Sequence, residues 1–83
     1  MAFKVILKEG AIKDLQRLPT NVAENIFHKV EHELPASALQ EKQLKGKYKG
    51  LRRMRVGDYR VIFEIRNDTV VVLQVTHRKD VYR

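Results

Sequence analysis

From Leu51 to Thr76 the chain consists of three strand-type runs, LRRMRV, YRVIFEI and TVVVLQVT, separated only by Gly57-Asp58 and by Arg66-Asn67-Asp68. Short runs rich in β-branched residues and joined by turn formers fold as consecutive antiparallel strands. A two-residue Gly57-Asp58 connection pairs Arg55 with Arg60, Met54 with Val61 and Arg53 with Ile62. Alternation then sends Met54, Val56, Tyr59, Val61, Phe63 and Ile65 to one face, and Arg53, Arg55, Arg60 and Glu64 to the other. For the last strand the register depends on the second turn. A bulged or three-residue turn at Arg66 to Asp68 makes Val71, Leu73 and Val75 core, with Gln74, Thr76 and Arg78 outward; a strict two-residue turn reverses that.

Upstream, Phe3 to Leu7 is a short apolar run stopped by Glu9-Gly10 and reads as a buried strand. Ala11, Ile12, Leu15 and Leu18 recur at helical spacing until Pro19 ends the helix. A second helix starts after a Thr20 N-cap, with Val22, Ile26, Val30 and Leu34 four apart and Ala23 and Phe27 widening the stripe; Pro35 disfavours helical geometry at Leu34. Two helices with one apolar face each need a sheet to cover. The expected fold is therefore α+β, in the order β-α-α-β-β-β, with both helices on one face of a small, twisted, mainly antiparallel sheet. At 83 residues the chain has room for one small core, so residues 1–83 are expected to form one domain.

The absence of cysteine excludes a disulfide framework, a cysteine-ligated zinc site and an iron-sulfur cluster. Lys8 and Glu9 interrupt the only apolar opening, so neither a signal peptide nor a membrane span is expected, and the chain reads as a soluble cytoplasmic protein.

Charge is distributed very unevenly. Residues 42 to 60 hold Lys42, Lys45, Lys47, Lys49, Arg52, Arg53, Arg55 and Arg60 against Asp58 alone, which accounts for the whole net charge of +7. A solvated face usually mixes signs, so the block reads as a surface for an anionic partner, against the plainer alternative of a solubilising loop. Three outward arginines side by side repel one another unless an anion sits among them, and their planar forks match phosphate oxygens. Glu64 can neutralise one of them.

The familiar catalytic sets are missing. Gly46 and Gly50 lack the context of a phosphate-binding loop, and no Ser-His-Asp or Cys-His set is indicated. His28 and His32 lie four apart, opposite the apolar stripe, and read as exposed helix surface rather than metal ligands, so no metal or other cofactor is expected. Phosphodiester chemistry performed by cations remains. RNA carries its own nucleophile, the 2′-hydroxyl. A nuclease must place it in line, take its proton, stabilise charge on the phosphorane and protonate the leaving 5′-oxygen. Arginine serves the third task but is no ordinary base. His77 and Tyr82 are the proton-transfer candidates, although His77 can equally end the last strand and Tyr82 can pack its ring on the sheet.

Several segments together resemble the RelE/ParE superfamily of bacterial and archaeal toxins, in particular RelE-type messenger-RNA interferases. They are Leu44-Lys45-Gly46, the run from Arg53 to Ile65 (RMRVGDYRVIFEI), and His77-Arg78-Lys79-Asp80-Val81-Tyr82-Arg83; Ala11-Ile12-Lys13-Asp14-Leu15 with Leu18-Pro19 adds the first-helix pattern. The resemblance implies a metal-independent, ribosome-dependent endoribonuclease that enters the A site, cuts messenger RNA and inhibits translation. A cognate antitoxin would wrap the toxin and block its open face in a hetero-oligomer. By the same resemblance Arg60 binds the scissile phosphate, Arg78 stands near the leaving group and Tyr82 orients the substrate. Arg53 and Arg55 occupy further basic positions of the site, and Lys45, Lys47, Lys49 and Arg52 are taken as RNA-binding cations. Leu51 stands where well-studied members carry a lysine implicated in proton transfer, leaving His77 or Lys49 as substitutes. ParE-type relatives share the fold and inhibit DNA gyrase without cutting nucleic acid, which is the alternative activity.

Overall fold

The computed structural model describes residues 2–79. Strand β1 (Lys4–Leu7) leads into helices α1 (Glu9–Gln16) and α2 (Thr20–His32), then a short α3 (Leu34–Ser37) that tightens into a 3-10 turn at Ala38–Gln40. Strands β2 (Lys42–Gln43), β3 (Arg52–Val56), β4 (Tyr59–Arg66) and β5 (Thr69–His77) follow, and the sheet order is β1-β5-β4-β3-β2. The β3–β4 hairpin has the register that the Gly57-Asp58 turn demands, with Arg55 opposite Arg60, Met54 opposite Val61 and Arg53 opposite Ile62. Gly57 takes φ +59°, a left-handed conformation at the first central turn position that glycine adopts without steric cost.

The core lies between the sheet and the helices. Phe63, Val61, Met54 and Val56 pack there with Ala11 of α1, Ile26 and Val30 of α2, and Leu34 of α3. Tyr59 and Ile65 lean on the same cluster, so all six expected inward residues of the hairpin face the helices. Pro35 sits in the first turn of α3, where its missing N–H costs nothing. The helical stripe therefore continues through Leu34 after a break at Glu33.

Four expectations need correction. β1 is an edge strand rather than a buried one: it pairs parallel with β5 on one side only, and Ile6 is 53% exposed. Thr20 is the first residue of α2, with Pro19 at the capping position and no side-chain cap. β2 and α3 are additional elements, too short to leave a periodic signature.

The fourth correction concerns β5. The turn is the strict two-residue form, with Asn67 at φ +54° and Arg66 opposite Thr69, so Val70 and Val72 enter the core and Val71 faces outward beside Glu64. A bulge follows: Ile62 pairs with Gln74 but Phe63 with Val72, leaving Leu73 as the extra residue. That insertion reverses the alternation once more. Val75 returns to the core, and Gln74 and Thr76 face outward as expected; Val71 is buried, but on the other face of the sheet, and half-buried Leu73 likewise lies outside the helix-side cluster.

Helix α1 seats on the bulge. A Cβ on Gly10 would stand 3.3 Å from the Leu73 carbonyl oxygen, so a small residue is needed for the approach. Because β1 pairs only as far as Val72, the next stretch of β5 lacks a strand on that side. There Asp14 Oδ2 accepts the Val75 N–H at 2.8 Å. This charge-assisted bond, partly exposed, should contribute about 1–2 kcal/mol. Asp14→Ala is expected to lower stability by that amount in urea unfolding, and an unchanged midpoint would remove the bond from the account.

Candidate functional site: a basic cleft on the open face

Because β3 and β4 alternate, the face opposite the helices receives Arg53, Arg55 and Arg60. Arg55 and Arg60 stand directly opposite each other, an arrangement of like charges that costs stability. Lys42 of β2 pairs with Arg53 and extends the cluster by one strand. The segment between β2 and β3 then arches over this edge. Its Leu44 N–H donates to the Leu51 carbonyl at 2.9 Å, and a 3-10 turn spans Gly46–Tyr48. Gly46 and Gly50 have φ of +67° and +94°, conformations that side chains rarely adopt, and so allow the arch to turn sharply at both ends.

Arch and sheet enclose a cleft of about 460 Å³ whose wall includes Lys42, Lys45, Tyr48, Arg53 and Arg60, with no acidic residue among the described residues that line it. Arg60 is half-buried. Its Nε and Nη1 atoms are buried and have no hydrogen-bond partner among the described residues. Nearby carboxylates are committed elsewhere: Glu64 Oε1 accepts from Arg66 Nε at 2.7 Å, and Asp58 Oδ1 lies 3.6 Å from Arg78 Nε. Among the described residues, Arg53, Arg55 and Arg60 form no ion pair. Cationic donors gathered in a partly desolvated cleft without a counter-charge are suited to binding an oxyanion.

The remaining expected site residues divide. Lys45 lines the cleft; Lys47 and Lys49 are exposed on the arch, with Lys47 Nζ 5.5 Å from the Tyr48 ring centroid. Arg78 is exposed at the end of β5 and tied to the β3–β4 turn, where its N–H donates to the Asp58 carbonyl at 2.7 Å. Tyr82 lies outside the described residues. Leu51 is half-buried just before β3, in step with Arg53 and Arg55.

Two assignments are corrected by strand parity. His77 pairs with Tyr59, packs edge-on against its ring at 5.1 Å between centroids, and therefore lies on the helix side, away from the arginines. Its Nδ1 accepts the Lys79 N–H at 3.2 Å. A base acting on a phosphate at Arg60 cannot come from the opposite face of the sheet. Arg52 is likewise in step with Met54 and Val56, and its Nη1 donates to the carbonyls of Leu39 (3.1 Å) and Glu41 (3.2 Å). It lies on the helix side of the sheet, apart from the open-face arginines, and ties β3 to the segment before β2. His28 and His32 stack at 4.5 Å on exposed α2 surface, and no metal-holding group of three or more His, Asp or Glu side chains occurs among the described residues. Arg52→Ala should therefore cost about 1–2 kcal/mol in chemical denaturation while Arg55→Ala stays within about 0.5 kcal/mol. Equal costs would contradict the division of roles.

Comparison with known proteins agrees with this architecture. The family model described as ParE toxin of type II toxin-antitoxin system, parDE, matches residues 5–82. The chain is 32% identical to Toxin RelE3 of Methanocaldococcus jannaschii over 95% of this chain and 94% of that one. It is 31% identical to Toxin RelG of Mycobacterium tuberculosis over 100% and 99% of the two chains. Among solved structures it is similar to a chain of the toxin-antitoxin complex RelBE2 from Mycobacterium tuberculosis, with a TM-score of 0.88 at 28% identity, covering 94% of this chain and 100% of that one. A match that runs from β1 past the end of β5, at this level of identity, places the chain in a family: it belongs to the RelE/ParE superfamily of type II toxin-antitoxin toxins.

Proposed function

We propose that this toxin is a ribosome-dependent endoribonuclease that cleaves messenger RNA in the A site, acting in the cytoplasm and restrained by a cognate antitoxin. The observation that carries the reading is Arg60, a guanidinium with buried, unpartnered donors in a cleft lined by further cations. A scissile phosphate seated there meets Arg60 from β4, Arg53 from β3, and Lys42 and Lys45 from the rim, while Arg55 stands exposed opposite Arg60, outside the cleft wall. Charge developing on the phosphorane is stabilised by side chains already in place, which lowers the barrier without a metal ion. Proton transfer falls to groups other than His77. Lys45 and Tyr48 line the cleft, and Lys49 stands on the arch above it.

Antitoxin control is supported by relatives whose solved complexes are described as toxin-antitoxin assemblies, including a RelB-RelE complex from Methanococcus jannaschii at 29% identity. A second reading, inhibition of DNA gyrase without nuclease activity, is favoured by the ParE description of the matching family model. The RelE- and RelG-named relatives and the unpartnered cations support the first.

Primer extension on messenger RNA from translating ribosomes separates the two. Cuts confined to the A-site codon are expected with the wild-type chain, and Arg60→Ala should reduce single-turnover cleavage by roughly 100-fold or more, as loss of a preorganised oxyanion donor does elsewhere. Intact transcripts accompanied by DNA damage would instead establish the gyrase reading.

A further inference from the structure

Arg60 is not alone in having buried polar atoms without a partner. Thr76 Oγ1 on β5 is also buried with no hydrogen-bond partner among the described residues. The two residues are direct cross-strand neighbours, Arg60 opposite Thr76, and both lie on the face away from the helices. Directly opposed side chains on one face of an antiparallel pair are within contact reach. Two adjacent unsatisfied groups in one small fold are an uncommon expense, since nearly all buried polar atoms find partners. Valine would fill the Thr76 position with the same shape and strand preference and bury no hydroxyl. The hydroxyl therefore needs an explanation that packing does not supply.

An oxyanion provides one. Arg60 has N–H donors only, Thr76 has one rotatable O–H, and a phosphate accepts from both at once. We propose that Thr76 and Arg60 form a single phosphodiester seat in which the Thr76 hydroxyl donates to one non-bridging oxygen while the Arg60 guanidinium holds the other. The inference rests on the reading of this face as an RNA phosphate site, and extends that site one strand beyond the cleft wall, onto β5. Arg60 opens on the cleft and marks the entry side. Thr76 sits on its far flank, on the side away from Arg55, so the phosphate that Arg60 holds meets a neutral donor on β5 as well as the cations of β3. Thr76 would be a neutral ligand: it adds affinity and orientation without releasing a counterion.

The test uses the full chain and a short RNA carrying 2′-O-methyl groups, which cannot supply a nucleophile. Affinity is measured over a range of salt concentrations, and the Arg60 Nε–H resonance is followed by NMR. Thr76→Val should weaken binding about tenfold, the scale of a hydrogen bond to a charged group, with the salt slope unchanged because no charge is lost. Thr76→Ser should restore affinity, and the Arg60 Nε–H shift on binding should shrink in Thr76→Val alone. Wild-type affinity in Thr76→Val, with binding lost in Arg60→Ala, would overturn the role of Thr76 and leave the arginine site standing. Equal weakening by Thr76→Val and Thr76→Ser would assign Thr76 to packing and overturn the proposal. Wild-type affinity in both Thr76→Val and Arg60→Ala would overturn the phosphate site itself.

Discussion

The two-residue connection at Gly57-Asp58 fixes which side of the sheet every residue of β3 and β4 faces. A slip of one residue would put Arg53, Arg55 and Arg60 into the core and Met54, Val61 and Phe63 into water. Burial of Phe63, Val61, Met54 and Val56 against α1 and α2 makes that slip prohibitive. The hydrophobic core thereby holds the cations in place on the far face. The same turn anchors Arg78 through the Asp58 carbonyl and carboxylate, so one short connection organises both ends of the basic surface.

The hairpin was legible because its two strands alternate cleanly around a glycine turn. β5 was not, because its alternation is broken by a bulge at Leu73 that has no local signature in TVVVLQVT. The bulge belongs to tertiary structure: Gly10 lies against the Leu73 carbonyl, and Asp14 takes the Val75 N–H across 61 positions of sequence. Parity alone separates Arg52 and His77 from the open-face arginines: Arg52 alternates with Met54 and Val56, and His77 follows Val75 by two. Lys42 and Tyr48 join the cleft through a two-residue strand and an arch, elements too short for periodicity to reveal. Thr76 reads in the sequence as an outward-facing β-former, with nothing in its residue type to tie it to Arg60.

What distinguishes the open face is uncompensated charge held in a partly buried setting. Surface cations usually acquire carboxylate neighbours, and this chain places ion pairs in several such positions, Lys29 with Glu33 and Arg66 with Glu64 among them. Around Arg60, among the described residues, it does not. A fold selected only for stability would place an apolar residue at that point of β4, because replacing buried charge by hydrophobic volume is commonly neutral or favourable. The arrangement makes physical sense if the missing counter-charge arrives with a ligand.

Thermal unfolding of wild type and Arg60→Met at low ionic strength, with and without inorganic phosphate, tests that claim most directly. Methionine keeps the apolar stem and removes the charge. Arg60→Met is expected to have the higher midpoint, by about 4–8 °C per kcal/mol of relieved repulsion and desolvation in a domain of this size, and to lack the phosphate-induced rise expected of wild type. A lower midpoint for Arg60→Met, with phosphate affecting both chains equally, would show that Arg60 serves the fold and contradict the account.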